Sequence, residues 1–428
     1  MSDSPPVRQK LFKALQHGGF IAISIVVTKI IALCAQGKAA QYLGPQNYGI
    51  SGIFLSILPL VVLLSNMQMD PLLVRNYISE KSAHKQHKLI EHIFNLRLLL
   101  LSISAFCALL ALYFIEPRYS LCLALIIPFY YSQSLKPAWL LQATHRLHIH
   151  YTAMLIQTAT TVACIFIFFR PNQALGSDLI CYSIGGSVAF LYSWKKAHHQ
   201  PPTINISKAC TSGSLALIKT AKPLLGIATC TIFFNSLQIP LVASLASTTE
   251  AGFYRTATLL SENIYTTLFT INALLLPHMI RWRNSNEINF SANYNKTIRY
   301  VTLTAFICVF AGYLLAPILY KFIYSDAYTE AIPEFRLLLI AKIMLFLAGT
   351  LTQAFIATNK ESELFKILAP ITAIGLLISY CATQACGTMG TASAELTYAT
   401  ILLIACNILW RRTRSEIDQS TFIDDASD

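Results

Sequence analysis

Apolar residues along this chain fall in long blocks, set apart by short polar or basic stretches. A block of about 20 apolar residues, wound as a helix, covers the ~30 Å hydrocarbon layer of a bilayer. The blocks predict spanning helices near 17–40, 50–72, 94–115, 119–141, 151–169, 178–194, 214–239, 252–276, 299–320, 336–358, 365–384 and 390–410. The stretches Leu43–Tyr48, Glu116–Tyr119, Phe169–Ser177, Ser247–Ala251 and Ser325–Pro333 alternate with the basic ones, and all are short. They leave no room for a folded domain on that face.

The pattern also repeats. Ala39–Arg75 reads as a Gly-Pro turn, an apolar helix, then Asn66-x4-Pro71-x3-Arg75. About 200 residues downstream, Thr249–Ala257 opens another apolar helix that ends Asn272-x4-Pro277-x3-Arg281. Ala143-Thr144-His145-Arg146 is echoed by Ala357-Thr358-Asn359-Lys360. Three echoes in order indicate an internal duplication, and duplication within an apolar chain points to transport. Six spans per half is an even number, so the halves insert in the same direction, related by an axis along the membrane normal. The expected layout is an all-α polytopic membrane protein with a six-helix lobe at 1–212, a second at 213–410 and a polar tail at 411–428.

Composition agrees. The chain has 428 residues, 55% hydrophobic and 12% charged, where about 25% charged is usual. The net charge of +12 would raise the question of nucleic acid in a soluble protein, but position decides otherwise. Of 32 Lys and Arg, 23 fall on one side of the spans laid out above. That bias predicts a cytoplasmic face holding both termini. The N-terminal run after Arg8, Lys10 and Lys13 is too long for a cleaved leader and holds Lys29 at its centre, so it is read as a first helix. The eleven cysteines are dispersed without a CxxC pair, and read as small packing residues. The ten histidines read as interface polarity, not metal ligands, and no cofactor is expected.

Ionisable groups inside a bilayer cost roughly 2.5–3.5 kcal/mol each by insertion scales, so their positions carry information. They gather on six of the twelve blocks. Lys29 and Glu262 both lie near the midplane, roughly 18 and 15 Å along their helices, as an ion pair or as groups that handle cargo or protons. Lys29, Lys136, Arg255 and Lys342 are the candidates for lining a polar cavity. Glu262 and Asp70 are the candidates for ion coupling. Asn66, Pro71 and Arg75, with Asn272, Pro277 and Arg281, are the candidates for gating. Catalytic motifs are missing: there is no Walker A loop, no G-x-S-x-G and no H-E-x-x-H. An enzyme is not expected.

The motifs resemble those of the polysaccharide-export flippases, the Wzx-type O-antigen translocases of the MOP flippase superfamily. The likeness rests on AAQYLGPQNYG (39–49), DPLLVR (70–75), GFYRTA (252–257) and YTEAIPEFR (328–336). Two positions depart from it: Gln41 stands where the family carries a basic residue, and Asn235 and Gln238 occupy a region where an acid is common. The resemblance implies twelve helices in two lobes around a cationic cavity, in the inner membrane of the cell. It implies an undecaprenyl-diphosphate-linked oligosaccharide, such as an O-antigen unit for lipopolysaccharide, flipped by alternating access and driven by protons. Its partners would be membrane lipids, a polysaccharide polymerase and a chain-length regulator.

Three rivals are weaker. A MATE-like multidrug or cation antiporter would share the fold, but would be expected to have an acid-rich cavity. A membrane polymerase or ligase would need a large outer loop. A major-facilitator transporter would carry G-x-x-x-D-[RK] where Arg75-Asn76-Tyr77 stands.

Overall fold

The computed structural model describes the backbone of residues 7–115, 117–170, 174–197, 212–284, 290–357 and 361–424, and the side chains of 27–110, 113, 119–170, 174–197, 225–268, 298–300, 302–355 and 362–412. The echo residues Thr358-Asn359-Lys360 fall outside these ranges. Among the described residues the regular structure is helical throughout.

In chain order the helices are α1 (Val7–Asn66), α2 (Asp70–Ser79), α3 (Ala83–Ile115), α4 (Pro117–Ser134), α5 (Ala138–Ala143), α6 (Leu147–Phe168) and α7 (Ser177–Lys196). Then follow α8 (Ser212–Leu245), α9 (Thr248–Asn284), α10 (Phe290–Ile323), a 3₁₀ turn Asp326–Ala331, α11 (Ile332–Ala357) and α12 (Glu361–Asp424). Seven described stretches are long and apolar enough to cross a membrane. Two of them, Val27–Ser79 and Ser362–Arg412, run to 53 and 51 residues.

Each of those two contains a break. In α1 it is Gly44, at φ 72° and ψ 166°. A left-handed φ suits glycine, and the proline that follows disfavours helix at the position before it. Nothing lies within 4 Å of where a Gly44 side chain would begin, so backbone conformation alone demands glycine there. In α12 the break is Cys386–Gly387, with Gly387 at φ 57°. The expected span 119–141 is also interrupted: α4 stops at Ser134 and α5 starts at Ala138. Pro137 lacks the N–H that would continue the ladder. The indole of Trp194 donates to the Leu135 carbonyl at 3.1 Å, satisfying an acceptor in the interruption.

The chain divides into two compact units. The first comprises 1–44 and 57–222, the second 45–56 and 223–428. In the first, Met69, Leu73, Ile93, Phe94, Trp139 and Trp194 form a buried cluster drawing on α2, α3, α5 and α7. In the second, Phe234, Phe355, Leu368, Tyr398 and Trp410 do the same for α8, α11 and α12, with the Phe234 and Tyr398 rings stacked at 3.8 Å. Large apolar side chains also point outward. On α10, Leu303, Phe306, Phe310, Leu314, Ile318 and Phe322 are all more than half exposed. A continuous apolar stripe of that size in water would be an aggregation surface; in a bilayer it is the lipid-facing side.

Residues 45–56 are held in the second unit by close backbone approach. A Cβ on Gly49 would stand 2.0 Å from the Thr248 carbonyl oxygen, and one on Gly252 2.0 Å from the Pro45 carbonyl oxygen. Neither obstacle is a flexible side chain. Gly252→Val is therefore expected to destabilise the protein by at least about 1–3 kcal/mol, the usual range for overpacking. A thermal melt of the detergent-solubilised variant checks this, and an unchanged midpoint would refute the close approach.

Candidate functional site

The charged groups of the second unit meet at one place. α11 is an apolar helix carrying Lys342, and that side chain is only 3% exposed. Its Nζ lies 3.1 Å from Glu262 Oε1 on α9 and 2.7 Å from Glu395 Oε1 on α12. Glu395 is 2% exposed and Glu262 is 38% exposed. Tyr254, fully buried on α9, donates its hydroxyl to Glu395 Oε2 at 3.1 Å. The Tyr265 ring borders Lys342, 5.7 Å from Nζ to its centroid.

Two carboxylates thus share one ammonium. With both ionised the three groups carry a net charge of −1; with one protonated they are neutral. Isolated charge is costly in a low-dielectric interior, so the ammonium and the two carboxylates depend on one another. Glu262 is the more exposed of the two acids.

Sequence reasoning singled out Glu262 and Lys342 and passed over Glu395. The signal was present, as Glu395 is a lone acid in the apolar block 390–410. Its place near the end of the block made it resemble an interfacial residue. The partner of Glu262 is Lys342, reached across 80 positions of chain.

Arg255 occupies a different setting. It is 2% exposed, its guanidinium carbon lies 3.7 Å from the Tyr48 ring centroid, and Nη1 donates to the Tyr48 carbonyl. A side chain on Gly52 would begin 2.5 Å from Arg255 Cδ, so that glycine makes room for the arginine stem. Tyr328 meets both the Tyr48 ring, at 6.3 Å, and the Phe253 ring, at 5.8 Å. Three motifs read separately in the sequence, LGPQNYG, GFYRTA and YTEAIPEFR, are therefore one packed aromatic knot around Arg255.

In the first unit Lys136 sits in the interruption between α4 and α5, 6% exposed. Its Nζ donates to Gln133 Oε1 at 3.1 Å and to Gln157 Oε1, and Gln133 Nε2 donates to the same Gln157 oxygen at 2.9 Å. No carboxylate among the described residues pairs with it. Lys29 is half-buried on α1. Asp70, in the first turn of α2, is ion-paired with the buried guanidinium of Arg97 on α3.

The proposed gate residues fall in unlike settings. Asn66 is the last residue of α1. Met67 and Gln68 then take positive φ (45° and 52°), and Pro71 lies in the first turn of α2, where its missing N–H costs nothing. Arg75 is exposed on α2. Asn272, Pro277 and Arg281 belong to α9, and their side chains lie outside the described residues. Pro71 opens a helix, whereas its echo Pro277 lies within one. Among the described residues no group of His, Cys, Asp and Glu is arranged to hold a metal.

A family model described as polysaccharide biosynthesis protein matches residues 14–282. The structure of the lipid II flippase MurJ in an inward closed conformation superposes with a TM-score of 0.73 at 15% identity, over 94% of this chain and 90% of that one. An inward-facing multidrug resistance MATE family transporter of the MOP superfamily gives 0.68 at 13% identity, over 94% and 99%. The Vibrio cholerae MATE transporter VcmN in its bent form gives 0.53 at 13%, over 94% and 98%. No curated protein sequence matches the chain. At such identities the likeness to the solved structures is one of fold.

Proposed function

The chain belongs to the polysaccharide biosynthesis protein family, and from that premise we propose that it flips an undecaprenyl-diphosphate-linked oligosaccharide across the inner membrane by alternating access. The cargo is an O-antigen unit or a related building block of surface polysaccharide. The observation that carries this reading is Lys136, a buried ammonium held by two neutral amides with no described carboxylate beside it. A buried charge without an opposite partner is costly, and a diphosphate passing close to it supplies the missing one. Lys29 lies in the same unit and adds to that field. Organic cations would be repelled by such a site, which favours the flippase over the MATE-like antiporter.

The twelve spans lie in two lobes, 1–212 and 213–410, with the tail 411–428 and both termini in the cytoplasm. Flipping makes and breaks no covalent bond, so the chain acts as a transporter and not an enzyme. Its working partners are the lipid-linked sugar, membrane lipids and, downstream, a polysaccharide polymerase and chain-length regulator. Coupling is assigned to the Lys342–Glu262–Glu395 cluster, which gains and loses one proton as Glu262 is alternately exposed.

The test is reconstitution. Purified protein in liposomes, with a fluorescent undecaprenyl-diphosphate oligosaccharide in one leaflet, is expected to move it to the other. A proton gradient should speed the movement, and ethidium should not be carried. Ethidium transport without lipid flipping would replace this reading by the antiporter.

A further inference from the structure

The first unit also holds a cavity that neither Lys136 nor Lys29 lines. It has a volume of about 330 Å³ and is lined by Arg146, His148, Ile149, Tyr192 and Lys196. Two helix ends build it. α5 closes with His145 in left-handed conformation, φ 55°, and the Arg146 N–H donates back to the Leu141 carbonyl at 2.7 Å. This tight reversal starts α6 at Leu147, with Arg146 at its cap and no side chain capping the first turn. The other wall is the last turn of α7, where Lys195 and Lys196 stand. The floor is apolar: Leu141, Ile149 and Ala197 are buried together, with Tyr192 packed on them.

Three cationic or titratable heads therefore ring an apolar floor. No described carboxylate pairs with Arg146 or Lys196. An uncapped helix start adds partial positive charge to the same place. The cavity lies where α6, a span long and apolar enough to cross the membrane, begins at Leu147. Beside it on α7 runs an exposed apolar face of Ile180, Ile184, Val188 and Leu191, between 40% and 66% exposed. The spacing of three and four places those four on one side of the helix, and the next position on that side is Lys195, the chain neighbour of the lining residue Lys196. An apolar track thus runs toward the end of α7 that walls the cationic hollow, at the surface that the basic loops are read as placing in the cytoplasm.

We infer that this cavity binds the phosphate headgroup of an anionic phospholipid, with an acyl chain lying along the apolar face of α7. A soluble phosphate could use the cationic ring but not the track, and the track is what commits the site to a lipid. A basic pocket between membrane helices is the ordinary form of such a site.

The experiment uses the full-length protein in detergent and counts bound lipid by native mass spectrometry across a titration. Phosphatidylglycerol is expected to bind with saturation, and phosphatidylcholine is not. At roughly one basic residue's worth of surface attraction each, Arg146→Gln with Lys196→Gln should weaken phosphatidylglycerol binding about 30-fold. Removing two charges elsewhere, by Lys85→Gln with Lys88→Gln, should leave it unchanged. Lys196 is exposed at the end of its helix, so Lys196→Gln alone folds even if the double variant does not, and should weaken binding about fivefold. Glycerol 3-phosphate and inorganic pyrophosphate are the soluble probes. Equal loss in the Lys85/Lys88 pair would mean diffuse surface charge and no built site. Displacement of the lipid by either soluble probe at comparable concentration would make the site one for free or cargo phosphate. Either result overturns the proposal.

Discussion

Lys342→Leu is expected to destabilise the protein by about 3–5 kcal/mol, the range for removing one partner of a buried ion pair. The cost does not come from the contact to Glu262, which is more than a third exposed and screened. It comes from Glu395, 2% exposed and 2.7 Å from the ammonium, which would be left charged beside leucine with only the Tyr254 hydroxyl to hold it. Lys342→Leu combined with Glu395→Gln removes both charges and should regain most of the loss. Thermal unfolding in detergent reads both variants. A lone Lys342→Leu that melts with the wild type would mean that the lysine contributes no net stability.

Lys29→Leu is expected to abolish transport while leaving the protein at its normal level. Leucine costs less than lysine to insert at mid-bilayer depth, and Glu262 keeps Lys342 as its partner in that variant. A charge-assisted contact to phosphate is worth about 1.5–3 kcal/mol, so flipping should fall at least tenfold. Lys29→Arg should recover part of it, since the charge stays while shape and hydration differ. Surface polysaccharide, measured against membrane protein level by immunoblot, separates the outcomes. Normal polysaccharide from Lys29→Leu would remove this residue from the cargo path, and a drop in protein level would make it a folding residue.

The helical class was legible because block length and apolarity act locally: a 20-residue apolar run has few other stable forms. The turn at Gly44 was equally local, whereas the interruption before Pro137 fell inside the expected span 119–141. What lay beyond reach was pairing across the chain. Glu262 and Lys342 both stood out as intramembrane charges, but nothing along one dimension says that helices α9 and α11 bring them within 3.1 Å. Glu395 was passed over for the same reason, since its partner and not its neighbours explains it. Arg255 stood out by its charge, but its packing against the Tyr48 ring and carbonyl could not be read from the chain. Side-chain environment is set by packing, and packing is the part of the fold least written in any single stretch.

Residues 45–56 sit early in the chain but group with 223–428. The guanidinium of Arg255 is therefore covered by a tyrosine supplied from some two hundred positions upstream. This restricts how the gene can be cut and exchanged. A crossover in the joint near position 212 would hand the second half of one homologue a Tyr48 turn shaped by another, with glycines and an arginine that had never met. Functional hybrids should instead cluster among those that inherit 45–56 and 223–428 from the same parent. A division at the joint between the two expected halves would in this way separate residues that pack as one unit.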